Sequence, residues 1–487
     1  MANTEGAVRG SRVLAGQASE LPTAVQIAGA VRSGTWSAAD VIQKALDRTN
    51  LLNSKLNALV AFRFDEALAE ARRIDERVLA GLPVGRLAGV PFTVKDTIAT
   101  DGLATTCGSA VVPGRTTDRD AVAVARLRAE DAVLVGKTNC SEFAMSIITE
   151  NPRYGATTNP LGPFTVGGSS GGESASVAAG MSAFGIGTDF GGSLRWPAQC
   201  TGVLGLRPTV GRVPATGQLP AVDQRGPWPP NPRTLQGRIQ VIGAIGRSVD
   251  DLEMTLRAMA GPDGLDSYAV PVPLRSSGSV RLDRVELRFG HAFGRVTADE
   301  QVAEAVEASV GELSRKGMKT IPGLPPALDH AQDIYDELRA AEPLSEIRAM
   351  SAGRHGELTE SIRRALSNSV PRSDEDLAGL WTDRDRLRHD LLQWLHGNRL
   401  LALPVAVVPP FVHGAGLPSL DTRQLTEAEI VAPCRAVALF GLPAISVPCG
   451  FSTYGAPLSV QFVAPPFRED LLLAVARSLM SATHPGR

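Results

Sequence analysis

The residues from Gly167 to Pro208 constrain this chain more than any others. They hold two glycine clusters, GGSSGG from Gly167 to Gly172 and GTDFGGS from Gly187 to Ser193, on either side of a run of small helix-forming residues. Glycine reaches positive φ and lets the backbone approach another group closely, yet it loses more entropy on folding than any other residue. Two such clusters so close together are an expensive way to achieve packing alone. Each carries serine: Ser169 and Ser170 in the first, Ser193 at the end of the second. Backbone N–H groups freed in glycine turns form anion cradles. A serine beside such a cradle points to acyl transfer, with the N–H groups holding a developing oxyanion.

Charge and cysteine usage narrow the partners. The net charge is −2 with 21% charged residues, which leaves no basic excess for nucleic acid or an anionic membrane. Aromatics at 5% disfavour a base-stacking surface. Cys107, Cys140, Cys200, Cys434 and Cys449 are scattered, odd in number and without a CxxC, as expected of free thiols in a reducing compartment. The first twenty residues lack the apolar core of a signal peptide. No apolar run approaches the ~20 residues that span a bilayer. The expectation is a cytoplasmic chain that does not enter a membrane.

Taken in order, residues 1–20 read as a loose arm. TAVQIAGAVRSG from Thr23 and SAADVIQKALDRTNLLN from Ser37 read as helices, with Ser37 and Asp40 as a variant capping box. ALVAFRFDEALAEARRIDERVLAG reads as a further helix that stops at Gly81. Val90 to Val94 is a short apolar strand running into Lys95 and Asp96. Residues 121–145 read as helix, buried strand (Ala132 to Val135) and loop, a rhythm that argues for an α/β sheet. GAIGRSVDDLEMTLRAMAG reads as helix, and residues 330–397 as a helical cap. LLALPVAVVPP and AISVPCGF are strand candidates, and EDLLLAVARSLMSA a closing helix. Length alone suggests two or three domains, but no repeat or linker interrupts residues 21–487, so one large α/β domain with a helical excursion is the simplest reading.

GGSSGGESASVAAG joined to GIGTDFGGSLRWPAQCTGVLGLRPTVGRVP resembles the signature of the amidase signature family. GVPFTVKDTI resembles that family's lysine strand, and AVLVGKTNCSEFAM, NPRYGATTNP, GAIGRSVDDLEMTL and AVALFGLPAISVPCGF extend the resemblance along nearly the whole chain. The resemblance implies a large mixed β-sheet core covered on both sides by helices. It implies a Ser–Ser–Lys triad of Ser193 as nucleophile, Ser169 as bridging serine held by a cis peptide bond, and Lys95 as base. It implies an oxyanion hole from the N–H groups of Phe190, Gly191, Gly192 and Ser193. No cofactor and no metal are implied.

Elementary chemistry agrees with that assignment. A serine hydroxyl is a weak nucleophile until a base takes its proton. The first of the seven histidines is His291, far beyond both serine clusters. A buried lysine serves instead, because desolvation disfavours its charged form, and Ser–Lys relays are a known variant of the triad. Alone, Lys95 reads as a surface lysine and each serine as a turn residue; the joint context carries the assignment. Ser170 reads as an accessory hydroxyl, and Asp189 with Arg195 as an ion pair bracing the nucleophile loop. Asp96 reads either as orienting the strand end or as a solvated loop carboxylate. Cys107 and Cys200 read as packed thiols.

Gly167 to Gly171 also fits the G-x-S-x-G elbow, which requires a preceding strand where this chain has the loop-like TTNPLGPFTV. The P-loop needs G-K-[ST], and here Gly172 is followed by Glu173. The expected reaction is hydrolysis of a carboxamide in a small-molecule substrate, aliphatic, aryl or a larger natural product, with no nucleic-acid or membrane partner and a homodimer allowed. Three alternatives stay open: an amidotransferase component releasing ammonia from glutamine beside companion chains, acyl transfer to an amine, and a non-catalytic scaffold. The pocket is expected between the Pro-rich loop at 214–234 (with Trp228, Pro229 and Pro230), the 330–397 helices, residues 145–150 and Phe190.

Overall fold

The structure is a computed structural model that describes residues 21–114, 116–219, 234–294 and 296–483. The N-terminal arm and most of the Pro-rich loop, Trp228 included, lie outside the described residues.

An 11-stranded mixed sheet organises the chain. Its order across the sheet is Leu59–Phe62, Val133–Thr138, Pro91–Lys95, Phe184–Asp189, Val241–Gly246, Leu204–Arg207, Ala444–Phe451, Pro457–Val463, Arg399–Pro404, Glu286–Phe289 and Lys319–Pro322. The Pro91–Lys95 strand runs parallel to both of its neighbours. All five of its residues are buried, as expected of a parallel strand covered on both faces. Phe92 stacks on Phe184 of the next strand at 5.5 Å between centroids. Beyond Phe184–Asp189 the pairing becomes antiparallel as far as Arg399–Pro404. The last two pairings are parallel again.

Most sequence expectations for the elements hold, and two need correcting. Leu59–Phe62 is an edge strand, and the helix begins only at Phe64. The apolar LVAF run pairs with Val133–Thr138 rather than continuing the helical period. Likewise GAIG, read as the start of a helix, belongs to the fully buried strand Val241–Gly246 with antiparallel partners on both sides, and the helix is Val249–Met259. A short apolar run fits either period, and here the sheet decides. Ser37 caps its helix by accepting from Asp40 N–H, but the second acceptor at that helix start is Asp75, bonded to Ala38 and Ala39 N–H, and not Asp40. A full capping box forms instead at Thr23 and Gln26. The 330–397 stretch is helical, with Ala331–Ala340, Ser345–Met350, Glu360–Asn368 and Asp374–Trp394.

No helix among the described residues is long and apolar enough to cross a membrane. All five cysteines are free, four of them buried.

Candidate active site

The site assembles at the ends of two adjacent parallel strands. Lys95 is the last residue of Pro91–Lys95, and Thr188 sits near the end of Phe184–Asp189. The Ser169 turn meets them from above, at the start of the Gly171–Ala178 helix. The peptide bond Gly168–Ser169 is cis. Gly167, at φ +79°, lets this turn lie against the helix that follows Ser193: a Cβ there would stand 2.7 Å from Pro197 Cα. The two glycine clusters are therefore packed face to face.

Lys95 Nζ and Ser169 Oγ are hydrogen-bonded at 2.5 Å, and Lys95 Nζ reaches Thr188 Oγ1 at 3.0 Å. Lys95 and Ser169 are fully buried, while Ser193 is half-buried. Burial pushes the Lys95 pKa from 10.5 down to about 8. No carboxylate among the described residues hydrogen-bonds the amine. Glu173, also fully buried, exerts a weak opposing field. Its carboxyl is pushed up to about 8 by the same desolvation, although Thr93 and Thr138 hydroxyls bond it at 2.6 and 2.8 Å. No histidine among the described residues hydrogen-bonds Ser169 or Ser193.

The loop from Phe190 to Leu194 is braced by a buried carboxylate. Asp189 accepts from Gly192 N–H (2.9 Å) and Leu194 N–H (3.2 Å), from Arg195 Nε (2.9 Å) and Nη2 (2.8 Å), and from Arg207 Nη1 (3.2 Å). All three side chains are inaccessible to solvent. Burial alone would raise the Asp189 carboxyl. The two guanidiniums and the Gly192 N–H overcome it and hold the group well below the usual carboxylate range. The expected Asp189–Arg195 pair is thus present and buried. Arg207, which the sequence reading missed, completes it; its position in GLRP just after the signature is the signal that could have found it.

Of the four N–H groups expected to form an oxyanion hole, that of Gly192 is engaged by Asp189 Oδ1. The N–H groups of Phe190, Gly191 and Ser193 have no acceptor among the described residues. Ser170 Oγ bonds the Thr188 carbonyl at 3.3 Å, tying the turn to the strand behind the site. Asp96 is no solvated loop carboxylate: it is buried against Lys137 at 3.1 Å and accepts from Thr106 and Gly108 N–H. Cys107 and Cys200 are buried thiols whose pKa burial pushes well up, as packing residues would be. Thr188, Glu173 and Lys137 went unread because single threonines, carboxylates and lysines carry no motif.

Phe190 faces the second half of the chain. Its ring lies 5.5 Å from that of Tyr335, and the Arg339 guanidinium sits 5.5 Å from its centroid. Met145 Sδ accepts from Arg339 Nη2 at 3.1 Å, and Met145 O accepts from Ser361 Oγ. Residues 145, 190 and the 330–397 helices therefore do meet.

The structure thus places a buried lysine, two serine-bearing glycine turns and unengaged backbone N–H groups at the ends of adjacent strands of one mixed sheet. The family model for amidases matches residues 40–473, and the chain belongs to the amidase signature family, enzymes acting on amide C–N bonds. A glutamyl-tRNA(Gln) amidotransferase subunit from Chlorobium luteolum is 32% identical over 85% of this chain and 88% of its own. The structure of 6-aminohexanoate cyclic dimer hydrolase with its substrate superposes at a TM-score of 0.82, with 27% identity over 96% of this chain and 98% of that one. A glutamyl-tRNA(Gln) amidotransferase subunit from Thermotoga maritima superposes at 0.73, covering 91% of each chain at 24% identity.

Proposed function

We propose that this chain hydrolyses a carboxamide through an acyl-enzyme on Ser193. The observation that carries the reading is the 2.5 Å contact between Ser169 Oγ and a buried Lys95 whose amine is pushed toward neutrality. Neutral Lys95 takes the Ser169 proton as Ser169 takes that of Ser193, and Ser193 Oγ bonds the carbonyl carbon. The resulting oxyanion is held by the N–H groups of Phe190, Gly191 and Ser193, which nothing else among the described residues engages. The proton returns through Ser169 to the nitrogen as the C–N bond breaks, and the amine or ammonia leaves. Water then attacks the ester carbon and gives its proton to the same relay. The Ser193 Oγ–carbon bond breaks, Ser193 recovers its proton, and the carboxylic acid departs.

The second reading is release of ammonia from glutamine by this chain beside partner chains. It rests on the name of the Chlorobium relative. The superposition on 6-aminohexanoate cyclic dimer hydrolase, over 96% of this chain, supports the first reading.

Intact-mass analysis after a fluorophosphonate and an amide panel, glutamine included, separates these readings. A covalent adduct on wild type, absent from Ser193→Ala, with turnover of amides by the chain alone, is the expected result. Turnover of glutamine only on adding partner chains would favour the second reading. Normal turnover by Ser193→Ala would end the first.

A further inference from the structure

Arginines in this molecule are heavily bonded where they are buried. Arg195 donates four hydrogen bonds to Asp189, Gln461 and the Cys434 carbonyl, and Arg212 four to Glu469 and two carbonyls. Arg288 and Arg339 depart from this pattern, each with a buried nitrogen that has no hydrogen-bond partner among the described residues, and of the two it is Arg339 that lies against Phe190. Its side chain is only 21% exposed, yet among the described residues one of its five N–H donors is hydrogen-bonded, to the Met145 thioether, a weak acceptor. Its Nη1 is buried without a hydrogen-bond partner among the described residues. Arg339 Nη1 forms a long ion pair with the buried Glu342 Oε2 at 3.6 Å, beyond a hydrogen bond, and Glu342 Oε1 is taken by Gln236 N–H.

The position of this cation is specific. Arg339 is one helical turn beyond Tyr335 on the Ala331–Ala340 helix, so both side chains share a face. That face covers the nucleophile loop: a Cβ on Gly191 would stand 2.7 Å from the Tyr335 hydroxyl, and Arg339 sits over the Phe190 ring. Neighbouring Arg435 is already paired with Asp336 at 3.1 Å. A buried guanidinium N–H left unbonded costs the full desolvation of that group. It is tolerable where an acceptor arrives with the substrate.

We infer that Arg339 is the anchor for a carboxylate on the substrate, so that the amides cleaved at Ser193 are carboxylate-bearing ones, such as monoamides of aliphatic dicarboxylic acids. This rests on the reading of Ser193 as the acylated residue. The planar fork of the guanidinium suits two parallel hydrogen bonds to a carboxylate.

The test compares kcat/KM for monoamides of succinic, glutaric and adipic acid with the neutral amides of equal chain length. Wild type should favour the best acid monoamide by about 10- to 100-fold, the value of one or two charge-assisted hydrogen bonds. Arg339→Leu should collapse that ratio toward one, and Arg339→Lys should restore part of it; circular dichroism checks that both variants fold. A wild-type ratio near one, or an equal loss on acidic and neutral amides in Arg339→Leu, overturns the inference. A binding measurement covers failure of the hydrolase reading itself. Calorimetric titration of Ser193→Ala with glutarate and adipate should show binding that the Ser193→Ala, Arg339→Leu protein lacks. Binding lost with Arg339 supports the anchor even if no amide is cleaved, and no binding, or binding indifferent to Arg339, overturns it.

Discussion

Asp189 and Lys95 end neighbouring strands and are both fully buried, but the protein treats their charges in opposite ways. Asp189 is surrounded by two guanidiniums and two backbone N–H groups and stays ionised. Lys95 is given only two hydroxyls, from Ser169 and Thr188, and its proton is loosened. A hydroxyl accepts a hydrogen bond but brings no counter-charge, so desolvation wins at Lys95 and pairing wins at Asp189. The carboxylate holds the loop's shape, and the amine is left poised to take a proton. The contrast teaches that burial alone does not set a group's role; the character of its partners does.

The largest effect should come from removing the loosened amine. Lys95→Met should lower kcat/KM on the order of 10⁴-fold, as for other triad members, while melting no lower than wild type. The protonated amine is the disfavoured form in the folded state. The stability gain of Lys95→Met should therefore be full below about pH 8 and fade as pH rises toward 10.5, which thermal melts across pH will read. Asp189→Asn should do the reverse, leaving two buried guanidiniums without their charge partner. A loss of about 3–5 kcal/mol in chemical denaturation is expected. If Asp189→Asn proved as stable as wild type, the comparison would fail.

Smaller effects sharpen it. The kcat/KM of wild type should rise with pH and level off above about pH 8 to 9, since neutral Lys95 is the active form; an ordinary lysine would put the rise above pH 10. Glu173→Gln should move that rise to lower pH by less than about one pH unit, because the carboxylate favours the protonated amine. A shift to higher pH would mean that Glu173 acts on Lys95 by another route.

Much of this contrast was legible in the residues beforehand. Glycine clusters, the PFTVK strand and the serines are local features, and together, in the context of the family resemblance, they single out Lys95, Ser169 and Ser193. The Asp189–Arg195 pair was legible too, though not that it is buried. What escaped was whatever depends on distant partners. Arg207 and Gln461 join the brace from other strands of the sheet. Glu173 is an ordinary helical residue in sequence until Thr93 and Thr138 close over it. The two misread runs, LVAF and GAIG, show the same limit, because a short apolar run becomes strand or helix according to the edge it meets. The engagement of Gly192 N–H belongs here as well, since it takes the position of Asp189 Oδ1 to see it.

Finally, the meeting of Phe190 with Tyr335 and Arg339 has a consequence for how this chain can change over time. Lys95, Ser169, Thr188, Asp189, Ser193 and Arg207 all come from its first half, and the side chains set against Phe190 and Gly191 from the Ala331–Ala340 and Ala432–Leu439 helices come from its second. Drift in those later helices alters what the loop is offered without disturbing the residues that hold it. A lineage can therefore exchange one amide for another by substitution in the C-terminal half while its reaction chemistry is inherited unchanged.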